Sequence, residues 1–181
     1  KTLKKIILKK KRKLISFDFL RTNSYNLKLK DVDIITDSMI HDIDLSIYFN
    51  GNVKSVFSIG VKNKNEIIQS NVILRHENGV YSNIFASKIS QKKDRILKVF
   101  SKDFYVEGNL ITKQFSLFLN SNIQNNLDRS FTQKNFQKNI ETPPVNALQS
   151  ELLDFFETCT NNQKSFFSNF SENKEVMRVC E

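Results

Sequence analysis

EIIQSNVILRHENGVYSNIFASKIS, residues 66–90, sets two runs rich in Val, Ile, Leu and Phe around the tetrad His76-Glu77-Asn78-Gly79. Asn-Gly tolerates the positive φ angles that a tight turn requires, so the stretch reads as an antiparallel hairpin with strands over Glu66–Arg75 and Val80–Ser90. In the second strand Val80, Ile84 and Ala86 share one side while Tyr81, Phe85 and Ile89 share the other. A sheet apolar on both faces needs cover twice: helices on one face, and a second copy or another domain on the other.

The same grammar continues on either side. Lys54–Val61 and Asp94–Phe100 read as strands, and the polar connection Gln91-Lys92-Lys93-Asp94 predicts that Val80–Ser90 and Asp94–Phe100 pair as a second antiparallel hairpin. Phe104–Glu107 and Thr112–Leu119 add two short strands, and Lys13–Arg21 (KLISFDFLR) alternates Ile15, Phe17 and Phe19 against Ser16 and Asp18. Four segments carry helical signals. Leu3, Ile6 and Ile7 lie on one face of Thr2–Lys9, and Asp33 is placed to cap a helix through Ile35, Met39, Ile40, Ile43, Ile47 and Tyr48 that Asn50-Gly51 stops. Asn146 precedes Leu148, Leu152, Phe155 and Phe156, and a last helix begins near Ser171. Residues 120–142, rich in Asn, Gln, Ser and Lys, read as a long loop with one irregular strand. The expected fold is α+β: an open, predominantly antiparallel sheet of about six strands with helices on one face.

Composition narrows the partners. The 181 residues suit one domain, and 39% hydrophobic content with sixteen Phe and no Trp provides for a packed core. The net charge of +9 is not a nucleic-acid footprint: eight of the first thirteen residues, KTLKKIILKKKRK, are basic, and the rest of the excess is scattered Lys. No apolar run approaches the ~20 residues of a membrane span. Cys159 and Cys180 stand without a CxxC or a companion His, which fits two reduced thiols in a cytoplasmic protein.

The chemistry-bearing stretch is TDSMIHDIDL, residues 36–45. On an α-helix Asp37, His41 and Asp44 stand at i, i+4 and i+7 and share one side, while Asp42 points about 100° away. Three readings stand open on these residues: a solvated helix face, a metal site with Asp37, His41 and Asp44 as ligands, or a general base in which Asp37 orients His41 by hydrogen bonding.

The order of helix end, KLISFDFLR, loop, DVDIITDSMIHDIDLSIYFNG, strands, HENG turn and ASKISQKKDR resembles the C-terminal half of the Gfo/Idh/MocA oxidoreductase family. That family carries D-x-x-x-H-x-x-D on the helix after the first sheet strand, matched here by Asp37, His41 and Asp44. The HDID variant, with ENG and ASxxS, is most similar to the branch containing UDP-N-acetylglucosamine 3-dehydrogenases and other nucleotide-sugar oxidoreductases.

The resemblance implies a complete, cytoplasmic enzyme that moves a hydride between a sugar carbinol carbon and the nicotinamide of NAD or NADP. Residues 1–12 would end an inter-domain helix, and residues 13–181 would form the substrate-binding and oligomerisation domain. His41 would be the base and Asp37 would orient it, with Asp44 supporting the helix. Arg21, Lys88 and Arg95 would meet anionic substrate groups, or would be ordinary strand-edge charges.

The chain departs from the family in three places. It has four Gly and no G-x-G-x-x-G, no Lys precedes Pro143 or Pro144, and Ile34-Ile35-Thr36 replaces the glycine pair before the catalytic Asp. The Rossmann half is therefore expected to be absent, and no cofactor to bind this chain alone. The alternatives are a non-catalytic remnant or sheet-mediated dimerisation module of the same fold, partnered by a separate dinucleotide-binding chain, and a basic protein that uses Lys1–Lys13 on RNA or a membrane surface.

Overall fold

The computed structural model describes residues 3–4, 14–24, 32–119, 123–125, 131–133, 136–140, 146–161 and 170–181. The strands are β1 (Leu14–Thr22), β2 (Val53–Asn63), β3 (Glu66–His76), β4 (Tyr81–Ser87), β5 (Asp94–Ser101), β6 (Phe104–Asn109), β7 (Gln114–Leu119), β8 (Ile123–Asn125), β9 (Phe131–Gln133) and β10 (Phe136–Ile140). A π-helical turn, Ile35–Met39, runs into helix α1 (Ile40–Asn50), and α2 (Ala147–Asn161) and α3 (Phe170–Cys180) follow the sheet.

The expected six-stranded antiparallel sheet is instead an eight-stranded mixed sheet in the order β10-β7-β6-β5-β1-β4-β3-β2, beside a separate β8-β9 pair. The decisive hairpin forms as read. β3 and β4 pair antiparallel with Arg75 opposite Tyr81, and Gly79, at φ 82°, closes a turn in which the His76 N–H donates to the Val80 carbonyl over 2.9 Å. The second expected hairpin does not form, because β1 lies between β4 and β5, parallel to the first and antiparallel to the second. Two meanders, β2-β3-β4 and β5-β6-β7, are thus joined through the first strand of the sequence.

The connection after β4 straps over the end of β1. The Asn23 N–H donates to the Ser87 carbonyl and the Ser90 N–H to the Asn23 carbonyl. The Thr22 hydroxyl donates to the Lys92 carbonyl over 2.7 Å and accepts from the Asp94 N–H. β10, inside the stretch read as a long loop with one irregular strand, extends the sheet beyond β7 with Phe136 opposite Leu119. It lacks an apolar period because an edge strand exposed along Phe136–Asn139 has no buried side to record.

One sheet face carries the core: Phe17 and Phe19 of β1, Leu74 of β3, Ile84 of β4, Leu97 and Val99 of β5 pack with Ile34, Met39, Ile43 and Ile47 from the helical segment. Helix α3 closes one corner with Val176 and Val179. It is clamped there by Glu175, which accepts the Val53 N–H at 2.9 Å, and by Arg178, which donates to the Val53 carbonyl at 3.0 Å and pairs with Glu175. Asn146 caps α2 by accepting the Gln149 N–H. Of the expected first helix only Leu3 and Lys4 lie among the described residues: Leu3 packs on the core, and Lys4 donates to the Tyr48 carbonyl over 2.8 Å.

The opposite face stays open. Phe57 and Ile59 on β2 are each 62% exposed, and Val61, Ile73, Tyr81 and Leu20 continue the apolar surface. Across its middle, register places Asn83, Asp18, Lys98, Glu107, Ser116 and Asn139 in one polar row. Burial raises the Asp18 carboxyl above its usual range, with Lys98 opposing the shift.

Candidate functional site

The π-turn and α1 carry the D-x-x-x-H-x-x-D residues across the covered face. The π-turn is wider than an α-turn, so the offset between Asp37 and His41 departs from the i, i+4 geometry of a regular helix. The Asp37 carboxylate accepts the Ser38 hydroxyl over 2.7 Å, and no hydrogen bond joins Asp37 to His41 among the described residues. Asp37 is partly buried, whereas His41 and Asp44 are exposed. Among the described residues no group of three His, Cys, Asp or Glu side chains could hold a metal ion.

Asp33 does not cap the helix: its carboxylate instead accepts the Ile67 N–H at 2.6 Å, tying the helix entry to β3. The helix ends where Asn50-Gly51 signals it, with Gly51 at φ 77° donating its N–H to the Ile47 carbonyl over 2.7 Å.

The acid that the helical wheel set apart is the one the fold buries. Asp42 accepts from Arg21 Nε at 2.6 Å and Nη2 at 2.7 Å, with side chains 3% and 5% exposed. This two-pronged bond locks α1 to β1. Lys88 is likewise buried, 3.4 Å from the Glu66 carboxylate, and donates to the Val32 carbonyl. Arg21 and Lys88 were read either as contacts to anionic substrate groups or as strand-edge charges; the structure places both in buried ion pairs, Arg21 with Asp42 on α1 and Lys88 with Glu66 at the start of β3. Arg95, third of the expected cations, stands directly opposite Arg21 in the β1–β5 register, partly exposed, with its Nε buried and without a hydrogen-bond partner among the described residues.

A second buried polar cluster was not legible in the sequence. His76, read as a turn residue, ends β3 at 1% exposure. Its Nδ1 lies 2.9 Å from the Gly51 carbonyl, which can only accept, so Nδ1 carries the proton; Nε2 accepts from the Ser82 hydroxyl at 3.2 Å and lies 2.9 Å from Ser46 Oγ, whose own proton goes to Ser82 Oγ over 2.7 Å. Burial depresses the imidazole pKa, with the Gly51 and Asn52 carbonyls and Glu175 opposing the shift. The cluster ties the end of α1 to the β3–β4 hairpin, helped by Asn78, whose side chain donates to the Asn50 carbonyl over 3.0 Å. The available signal for both clusters was helical spacing: Met39, Asp42, Ile43, Ser46, Ile47 and Asn50 form one inward stripe.

The described part of the fold matches known enzymes along nearly its whole length. The UDP-N-acetylglucosamine 3-dehydrogenase from Acidithiobacillus ferrooxidans superposes with a TM-score of 0.81 at 17% identity, covering 97% of this chain and 55% of that one. The fold is that of the Gfo/Idh/MocA-type oxidoreductases. A putative NADPH-dependent oxidoreductase from Desulfitobacterium hafniense superposes at 0.78 with 14% identity over 98% of this chain and 56% of that one. A levoglucosan dehydrogenase in complex with NADH and levoglucosan superposes at 0.72 with 12% identity over 99% and 58%. In sequence, the Acidithiobacillus ferrooxidans enzyme is 27% identical over 92 residues, 49% of this chain and 29% of that protein. No family model matches. The chain spans little more than half the length of these solved relatives.

These relatives are dehydrogenases and oxidoreductases, and the chain shares their type of fold. No helix among the described residues is long and apolar enough to cross a membrane.

Proposed function

We propose that this chain is the substrate-binding part of an NAD(P)-dependent sugar oxidoreductase, acting on a nucleotide sugar. The observation that carries the reading is the match over 97% of the chain to a nucleotide-sugar dehydrogenase, with Asp37, His41 and Asp44 on the helical segment that crosses the sheet. His41, exposed at the first turn of α1, takes the proton from the sugar hydroxyl as the carbinol carbon becomes a carbonyl. Asp37, one turn earlier, positions sugar hydroxyls and the imidazole when substrate is bound, and Asp44 supports the helix. The Arg21–Asp42 and Lys88–Glu66 pairs fix the segment that carries them.

The dinucleotide does not fit the residues present. The four glycines stand at a helix stop, in edge strand β2, in the β3–β4 turn and in β6, and none opens a helix after a strand as a pyrophosphate turn requires. The nicotinamide carrier is therefore assigned to a domain outside these 181 residues, on the same chain or a separate one. The open sheet face, with Phe57, Ile59, Val61 and Ile73, supports assembly through a second copy. That surface equally favours the second reading, a dimerisation module of the same fold without catalysis.

The test is a protein that includes the upstream coding sequence. An encoded strand followed by G-x-G-x-x-G and a later Glu-Lys-Pro segment supports the enzyme; an upstream frame with neither removes it. In that longer protein His41→Ala lowers turnover far more than stability, and unchanged turnover takes His41 out of the mechanism.

A further inference from the structure

Three cations meet on the helix-covered side of the sheet, and their charges are balanced unequally. Arg21 and Arg95 are directly opposite across β1 and β5, and like charges so placed repel. Asp42 neutralises Arg21 with both of its oxygens, and Glu66 neutralises Lys88. Asp94, the residue before Arg95, pairs with Lys92 at 2.9 Å. Arg95 has no carboxylate among the described residues, and its Nε is buried without any hydrogen-bond partner. A shielded, unpaired guanidinium N–H is a rare state in a folded protein and marks a missing acceptor. The residue as a whole remains partly exposed.

We infer that Arg95 is an anion receptor that takes phosphate oxygens. The guanidinium fork matches a phosphate or a carboxylate in two-pronged fashion. Of these the assignment is to a phosphate ester or diphosphate, and that choice rests on the nucleotide-sugar reading above. The bound anion supplies the negative charge that the Arg21–Arg95 pair lacks after Asp42 is counted. Arg21 forms the fixed wall of the site and Arg95 its binding group. Asp42, which holds Arg21, is the sequence neighbour of His41, so the helix that carries the proposed base is bonded to the strand that lies beside Arg95.

Titration of sodium pyrophosphate into the 181-residue chain tests this, followed by 31P and 1H–15N NMR at roughly 0.15 M ionic strength, where exposed charges beyond about 8 Å are screened. Saturable binding is expected, weakened at least tenfold in Arg95→Gln, less in Arg95→Lys, and unchanged in Arg75→Gln, which alters an exposed arginine on the open face. Succinate at equal concentration separates the two anion classes, and stronger binding of succinate than of pyrophosphate overturns the phosphate assignment. Equal pyrophosphate affinity in wild type and Arg95→Gln, as binding by the basic residues 1–13 would give, overturns the site itself, as does no saturable binding in wild type. Arg95→Gln removes a repulsive partner and is expected to fold. Thermal melts check this, with pyrophosphate raising the midpoint of wild type and not of the variant. Arg95-dependent pyrophosphate binding together with a longer protein that oxidises no nucleotide sugar leaves the anion site standing while the proposed function fails.

Discussion

Asp42→Asn is the perturbation that most sharply probes how the helix is held. The change keeps size and one acceptor oxygen but removes the charge that balances a guanidinium only 5% exposed, which itself faces Arg95. Removing one partner of a buried ion pair typically costs about 3–5 kcal/mol, because the other charge is left without compensation. Asn still accepts one hydrogen bond, which places the expected loss near the low end, about 3 kcal/mol. For a chain of this size each kcal/mol moves the melting midpoint by roughly 2–4 °C, so a drop of about 6–12 °C is expected.

The assay is urea unfolding followed by circular dichroism, with the m-value unchanged if the native fold is kept. Arg21→Met combined with Asp42→Leu is expected within about 1–2 kcal/mol of wild type, since a well-packed apolar pair replaces a buried ion pair at little cost. Adding Arg95→Gln to Asp42→Asn recovers part of the loss by removing the second uncompensated cation. An Asp42→Asn loss below about 1 kcal/mol, the median value of exposed pairs, or a double variant as unstable as the single one, refutes the account of this pair.

Three further outcomes follow from other parts of the fold. His76 is neutral when folded and its pKa is depressed, so the unfolded chain takes up that proton first; stability falls as pH drops below about 6.5, seen as lower urea midpoints at pH 6 and 5 that flatten in His76→Gln. Gly108→Ala places a methyl 2.0 Å from the Phe115 ring across the β6–β7 pair and costs about 1–3 kcal/mol in the same unfolding assay, with Phe115→Ala relieving the clash. Ile59→Lys, on the open face and 62% exposed, leaves the melting midpoint of the monomer nearly unchanged while lowering the mass measured by light scattering, if the sheet face joins two copies.

What the sequence showed and what it hid divide along the range of the interactions. The Asn78-Gly79 turn and the Asn50-Gly51 stop are written in neighbouring residues and appear where they were read; of the alternation Ile15, Phe17 and Phe19, the two Phe are buried, whereas Ile15 is 42% exposed and Ser16 buried, because the pairing of β1 shifts register between Leu14 and Ser16. The insertion of β1 between β4 and β5 depends on pairing across about 70 residues, which no local period encodes. Adjacent strands in sequence were therefore taken as adjacent in space. β10 was read only as one irregular strand without bounds, because its exposed edge residues carry no buried alternation.

In the site, the motif Asp37, His41 and Asp44 was conspicuous as a pattern, yet the groups that fix its helix were not. Asp42 needed Arg21, twenty-one residues away, and His76 needed Ser46, thirty away, before either could be understood as buried. The π-turn hid for a related reason: Ile34-Ile35-Thr36 satisfies a regular helix as readily as a widened one.

The most direct test of the central claim is a 1H–15N NMR titration of the 181-residue chain with UDP-N-acetylglucosamine. The account predicts saturable shifts concentrated at Asp37–Asp42 on the helical segment and around Arg95 on β5, weakened by Arg95→Gln. Shifts confined to the open sheet face or the basic first residues, or no saturable change at all, would contradict it.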